Sequence, residues 1–194
     1  MPPLPQTIEE KINAAHTLKE QGNEYFKAGL YREALKSYTK VFAYTRGLPG
    51  ATFDSKRDTS SGFDASNFVP QGAARITESQ QQRCIDLELA VENNIATVYV
   101  KLKNGPKAII HSNRALERCA TNWKAFLRLA EGKALSKDWD GALRALQSAS
   151  AFCDETNKRN IAQEIERVKV MQKRESHETE AALRKTLAGA FEKF

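Results

Sequence analysis

The chain has 194 residues, with 41% apolar and 28% charged side chains and a net charge of +6. That length bounds one domain, and the balance is ordinary for a helix-rich soluble fold. No run of 18 apolar residues exists, so no membrane span and no membrane partner is expected. The basic residues alternate with acids and form no stripe, so no nucleic-acid partner is expected either.

The N-terminal stretch MPPLPQTIEEKINAA lacks a basic region followed by an apolar core, so it does not read as a secretory signal. Thr7-Ile8-Glu9-Glu10 fits a capping box, in which a threonine and a glutamate three residues later satisfy each other's backbone donors. Segment 15–48 then reads as a helical hairpin. Leu18, Gly22, Tyr25 and Phe26 mark its first helix. Lys27-Ala28-Gly29 forms a turn, with Gly29 supplying the left-handed conformation of a helix end. Tyr31, Ala34, Leu35, Tyr38 and Val41 mark the second helix.

Residues 49–76 are rich in Gly, Ser, Asp and Pro and have no apolar period, which predicts a long loop insertion. Such a loop is either disordered or held down by its isolated Phe53, Phe63 and Phe68. A second capping box, Thr77-Glu78-Ser79-Gln80, starts a long helix expected to run to about Lys103.

The hairpin pattern recurs twice. Segment 89–120 carries Ala96 and Tyr99, a turn at Asn104-Gly105-Pro106, then Ala108, Ser112 and Ala115. Segment 123–153 carries Leu129 and Ala130, a turn at Asp138-Trp139-Asp140-Gly141, then Ala142, Leu146 and Ala149. Ala108 and Ala142 are 34 positions apart, which matches the period of a two-helix repeat. Small residues at these positions let two helices approach closely. From Thr156-Asn157 a last helix extends to the C-terminus, with Leu183, Leu187, Ala190, Phe191 and Phe194 at helical spacing. Its beginning would cap the array; its far end is expected to project.

The domain plan is therefore a single domain over 1–194. It has a first repeat at 7–48, the 49–76 insertion, a second repeat at 77–120, a third at 121–155 and a C-terminal helix at 156–194. Cys84, Cys119 and Cys153 are odd in number and far apart, and are expected to be buried free thiols. With no glycosylation sequon, they suggest a reducing compartment, cytoplasm or nucleus.

His16, His111 and His177 do not cluster with cysteines or carboxylates at metal-ligand spacing. There is no phosphate loop and no nucleophile motif. No enzyme activity, metal or cofactor is expected. Five polar residues stand out instead: Lys19, Asn23, Asn94, Lys124 and Arg128. Each sits on the first helix of a hairpin. Lys19/Asn23 and Lys124/Arg128 are spaced i, i+4, so each pair projects from one helix face. If the hairpins stack in register, the set makes a cationic, amide-rich pocket suited to a peptide's terminal carboxylate.

Leu18-Lys19-Glu20-Gln21-Gly22-Asn23, Asn93-Asn94-Ile95-Ala96 and Asn122-Trp123-Lys124-Ala125-Phe126-Leu127-Arg128 resemble the motifs of a tetratricopeptide repeat (TPR) domain of the carboxylate-clamp type. The resemblance is to the co-chaperone modules of large immunophilins and their small single-domain relatives. It implies an all-α fold: three helical hairpins in a right-handed superhelical array, plus a long C-terminal capping helix. It further implies that the five residues bind the C-terminal Glu-Glu-Val-Asp tail of the 70 and 90 kDa heat-shock chaperones. The runner-up is a TPR scaffold that holds another protein through its groove or C-terminal helix, without recognising a chaperone tail. A calmodulin-type target helix, built on Lys169, Lys173, Arg174, Arg184, Lys185 and Phe191, is weakened by the acids among them. The chain departs from the family where repeat-end prolines are usual; Arg46, Ala120 and Asp154 stand there. Lys133 replaces a usual aromatic or apolar residue.

Overall fold

The computed structural model describes residues 7–46, 48 and 76–191. The expected loop, apart from Ile76, lies outside these residues together with Phe53, Phe63 and Phe68. The described residues form helices α1 (Ile8–Lys27), α2 (Tyr31–Thr45), α3 (Glu78–Lys101), α4 (Gly105–Arg118), α5 (Trp123–Leu135), α6 (Trp139–Phe152) and α7 (Glu155–Phe191), without a strand. The fold is all-α. The chain divides into two compact units, Met1–Val98 and Tyr99–Phe194, with the boundary inside α3.

In the first unit both capping boxes form. Thr7 Oγ1 accepts from the Glu10 N–H at 3.1 Å while Glu10 Oε2 accepts from the Thr7 N–H at 3.1 Å. Thr77 and Gln80 repeat the exchange at the start of α3. α1 and α2 pack as an antiparallel hairpin over buried Ile12, Ala15, Ala34, Tyr38 and Val41. Ile12, Leu48 and Cys84 form a small core flanked by Ile8 and Ile76. Arg83 of α3 pairs with Glu9 of α1 at 2.8 Å and holds that carboxyl below its ordinary range.

A buried acidic cluster was not visible in the sequence. Glu88 and Glu92, one turn apart on α3, are fully buried. Thr45 donates its hydroxyl to Glu88. The Arg46 guanidinium lies 3.9 Å from Glu88 and 3.6 Å from Glu92, and 4.2 Å over the Phe42 ring. Carboxylates taken out of water require such compensation. The cluster ties the end of α2 to the middle of α3.

The second unit stacks α4, α5, α6 and α7. Its core comprises Leu129, Ala130, Ala142, Ala145, Leu146, Ala149, Ile161 and Val168. Ile161 and Val168 are the contribution of α7, which covers the α5–α6 hairpin as a cap should. Beyond that contact, every residue from Ser176 to Thr186 is exposed, and Leu183 shows 59% of its surface. The side chains of Leu187, Ala190 and Phe191, and all of Phe194, lie outside the described residues. α7 starts earlier than expected: Asp154 Oδ1 accepts from the Asn157 N–H at 2.9 Å.

The first hairpin turn falls at Ala28 and Gly29 as the sequence reads, and the second and third differ in detail. Asn104 and Asp138 are N-caps, accepting from Lys107 N and Gly141 N, and Gly105-Pro106 and Trp139–Gly141 lie in the helices they start. The left-handed residue comes just before each cap. It is Gly29 (φ 75°), Lys103 (φ 56°) and Lys137 (φ 62°) in the three hairpins. Each turn closes with the same long backbone bond, from Leu30 N to Tyr25 O, Asn104 N to Tyr99 O and Asp138 N to Lys133 O, at 2.9 Å in every case. That is the 6→1 bond of a helix ending in a left-handed residue. Lys133 has its own use: its Nζ donates to Asp138 Oδ2 at 2.8 Å, and with the Gly141 N–H it lowers the Asp138 pKa. Only Cys84 is a buried thiol; Cys119 and Cys153 are half-exposed at the ends of α4 and α6, where a helix terminus leaves less covering structure. No helix among the described residues is long and apolar enough to cross a membrane.

Candidate functional site

Lys19, Asn23 and Asn94 belong to the first unit. Lys19 and Asn23 are half-buried on α1, one turn apart. Both reach the same carboxylate. Lys19 Nζ lies 2.8 Å from Glu20 Oε1, and Asn23 Nδ2 donates to Glu20 Oε2 at 3.0 Å. These two donors keep Glu20 below its ordinary range. The Lys19 side chain is 21% exposed and that of Glu20 61%. An exposed carboxylate therefore spans a pair of more sheltered donors.

Asn94 on α3 donates its Nδ2 to Asn23 Oδ1 at 3.0 Å. The expected Asn94 thus reaches Asn23 from a different helix. Asn23 Oδ1 accepts a second bond, from the Tyr38 hydroxyl at 2.8 Å. Tyr38 is 1% exposed. Burial, against a smaller opposing effect of Asn94, pushes its phenol up to about 12. Room for its ring comes from Gly22, where an added Cβ would lie 2.4 Å from Tyr38 Cε1. His16, one turn before Lys19, is held below its ordinary 6.5, first by burial and then by the Lys19 and Arg83 charges.

Lys124 and Arg128 belong to the second unit. Asn122 starts α5 by accepting from the Ala125 N–H at 2.8 Å, which sets the helix phase for both. Lys124 is exposed, with its Nζ 5.6 Å from the Trp123 ring centroid. Arg128 pairs with Glu131 at 2.6 Å, each side chain 28% exposed. Here too an internal carboxylate sits on a half-sheltered cation.

Sequence reasoning missed Tyr38, Glu20 and Glu131 as parts of these arrangements. Glu20 and Glu131 lie one and three residues from a chosen cation, and that spacing was a usable signal. Tyr38 lies on another helix, 15 residues from Asn23. Its only trace was a glycine next to Asn23 facing an aromatic on the following helix.

Paired α-helices with a left-handed turn at repeat spacing, and a final helix covering the last pair, are the architecture of a tetratricopeptide repeat (TPR) fold. The chain has this fold and is similar to the TPR domains of FKBP-type immunophilins. No protein-family model matches it. It is 26% identical over 194 residues to the peptidyl-prolyl cis-trans isomerase FKBP4 of Rattus norvegicus, covering 93% of this chain and 37% of that protein. The chain spans between 31% and 37% of the length of its rat, mouse and human relatives. Among solved structures it resembles the C-terminal TPR-containing domain of a Plasmodium falciparum FK506-binding protein. The TM-score is 0.64 and the identity 24%, over 89% of this chain and 97% of that one. It also resembles a first and a second TPR domain from two RPAP3 proteins. The first, from Spaghetti, is bound to the HSP90 peptide SRMEEVD (TM-score 0.54, 21% identity, 82% and 93% coverage). The second, human, is in complex with the HSP70 peptide SGPTIEEVD (TM-score 0.55, 16% identity, 84% and 98% coverage).

Proposed function

We propose that this domain is a protein-binding adaptor or co-chaperone, not a catalyst. In this reading Lys19, Asn23, Asn94, Lys124 and Arg128 clamp the terminal carboxylates of the Glu-Glu-Val-Asp tail of a 70 or 90 kDa heat-shock chaperone. The observation that carries the reading is the Glu20 carboxylate, held at once by Lys19 Nζ and Asn23 Nδ2. Two donors that reach one carboxylate together support reading the pair as a carboxylate receptor. Asn94, bonded to Asn23, adds a second amide beside it. Further support is that both RPAP3 neighbours hold peptides ending in Glu-Glu-Val-Asp.

The chemistry suits a chain end. A C-terminal Asp presents two carboxylates, its side chain and the main-chain terminus. Lys19 and Lys124 offer point charges, and Arg128 a planar fork of donors. Charge-assisted bonds are the stronger class, and a sheltered site strengthens them. The partner sets the expected location, cytoplasm with the nucleus as a second compartment.

Lys19→Ala, Lys124→Ala and Arg128→Ala test the reading. Each is expected to weaken a Glu-Glu-Val-Asp peptide by tenfold or more, because truncating one partner of a charge-assisted contact strands the other. Melting should stay within a few degrees of wild type, since none of the three residues is buried in a core. Binding that survives Lys19→Ala and Lys124→Ala would favour the scaffold reading, which has the exposed far end of α7 to draw on.

A further inference from the structure

We propose that Tyr38 is a positioning residue for the ligand carboxylate: its hydroxyl fixes the Asn23 side-chain amide with the NH2 group turned toward the ligand. This rests on the clamp reading above and adds a residue that touches no ligand. An asparagine side chain is nearly symmetric in shape but not in chemistry, since one end accepts and the other donates. Which end faces the ligand decides what Asn23 recognises.

The bonding pattern sets the choice. Asn23 Oδ1 is occupied by two donors, Tyr38 at 2.8 Å and Asn94 Nδ2 at 3.0 Å. Nδ2 points the other way, onto Glu20 Oε2 at 3.0 Å. Reversing the amide would bring its NH2 against the Asn94 NH2 and the Tyr38 hydroxyl. Its oxygen would then face the Glu20 carboxylate, and the phenol proton would lose the acceptor it now uses. Tyr38 is 1% exposed, so bulk water does not supply another. The phenol remains a donor throughout the physiological range, because burial keeps it protonated to about pH 12. Gly22 belongs to the same device. A side chain at that position would meet the ring at 2.4 Å from Cε1 and 2.6 Å from Cδ1, which pushes the hydroxyl off Asn23.

The consequence is selectivity. With its amide held, Asn23 shows the ligand only donors. A free carboxylate offers two charged acceptor oxygens, while a C-terminal amide keeps one neutral acceptor and replaces the other with an NH2. Without the hydroxyl the amide is free to turn, and discrimination between the two chain ends falls.

The test is calorimetric titration of the full chain and its Tyr38→Phe variant with a peptide ending in Glu-Glu-Val-Asp, once free and once amidated. Tyr38→Phe keeps the ring and removes one neutral hydrogen bond, so free-peptide affinity should fall roughly fivefold. The ratio of free to amidated affinity should shrink with it. In an Asn23→Ala background, Tyr38→Phe should have no further effect, because Tyr38 acts through Asn23. Wild-type affinity in Tyr38→Phe overturns the proposal, as does an equal loss in both backgrounds. The Asn23 NH2 resonances, read by NMR without peptide, give an independent measurement. They should move on substitution, and unmoved resonances overturn the proposal. If the wild-type chain itself fails to separate free from amidated peptide, the clamp reading falls and the positioning role with it.

Discussion

Gly22→Ala separates packing from propensity by the sign of its effect. In a helix interior, alanine for glycine is worth about 0.5–1 kcal/mol of stabilisation. At Gly22 the new methyl would lie 2.4 Å, 2.6 Å and 3.0 Å from Cε1, Cδ1 and Cζ of Tyr38. The ring has to retreat by about 1 Å to restore ordinary contact. Overpacking of this kind costs about 1–3 kcal/mol. Losing the bond from the hydroxyl to Asn23 adds about 1 kcal/mol. Clash and lost bond outweigh the propensity gain, and the expected net is a destabilisation of about 1–3 kcal/mol. For a chain of this size that is a fall in melting temperature of roughly 3–10 °C. Urea unfolding followed by circular dichroism measures it. A variant stabilised by about 0.5 kcal/mol or more would show propensity acting alone, and would refute the close approach of the ring to α1. Because Asn23 moves with the ring, peptide affinity should fall as well.

Three further outcomes follow from other contacts. Glu20→Gln should tighten binding of the acidic peptide by a few-fold at low salt, since it removes an internal carboxylate from Lys19 and Asn23; titration at two salt concentrations checks it, and weaker binding would make Glu20 an orienting residue instead. Lys103→Gly should raise stability by about 0.5–1 kcal/mol, because an exposed lysine at φ 56° bears the left-handed cost that glycine avoids; thermal melting reads the change, and a loss would place the side chain in an unseen contact. Glu175 accepts from Lys137 and from the Trp139 indole, and Lys137 and Trp139 together hold its pKa below the ordinary 4.5. A depressed carboxylate contributes above its unfolded pKa and loses that contribution as pH falls through the folded value. Trp139 fluorescence should therefore change below about pH 4.5 in the wild type and not in Glu175→Gln; equal titration of both chains would contradict the pairing.

Much of the fold was legible because small residues at a 34-residue spacing are a packing requirement that shows directly in the sequence. The capping boxes at Thr7 and Thr77 were legible for the same reason, being local. The first turn, marked by Gly29, was legible, while the second and third were misplaced by one or two residues. Lysine is a poor marker of left-handed backbone, and Asn104 and Asp138 are equally good turn and cap residues. At the site, i, i+4 spacing exposed Lys19/Asn23 and Lys124/Arg128. The network around them was hidden because it is tertiary: Tyr38 reaches Asn23 from α2, and Asn94 reaches it from α3. Burial of Glu88 and Glu92 was equally hidden, since acids on a helix read as solvated until Thr45 and Arg46 are placed beside them.

The most direct test of the clamp is the affinity of this chain for one acidic peptide ending in Glu-Glu-Val-Asp, measured by calorimetry with the C-terminus free and amidated. The account predicts that the free peptide binds and that amidation weakens it by tenfold or more, because a charged acceptor is replaced by a neutral group. Equal affinity for the two peptides would contradict it.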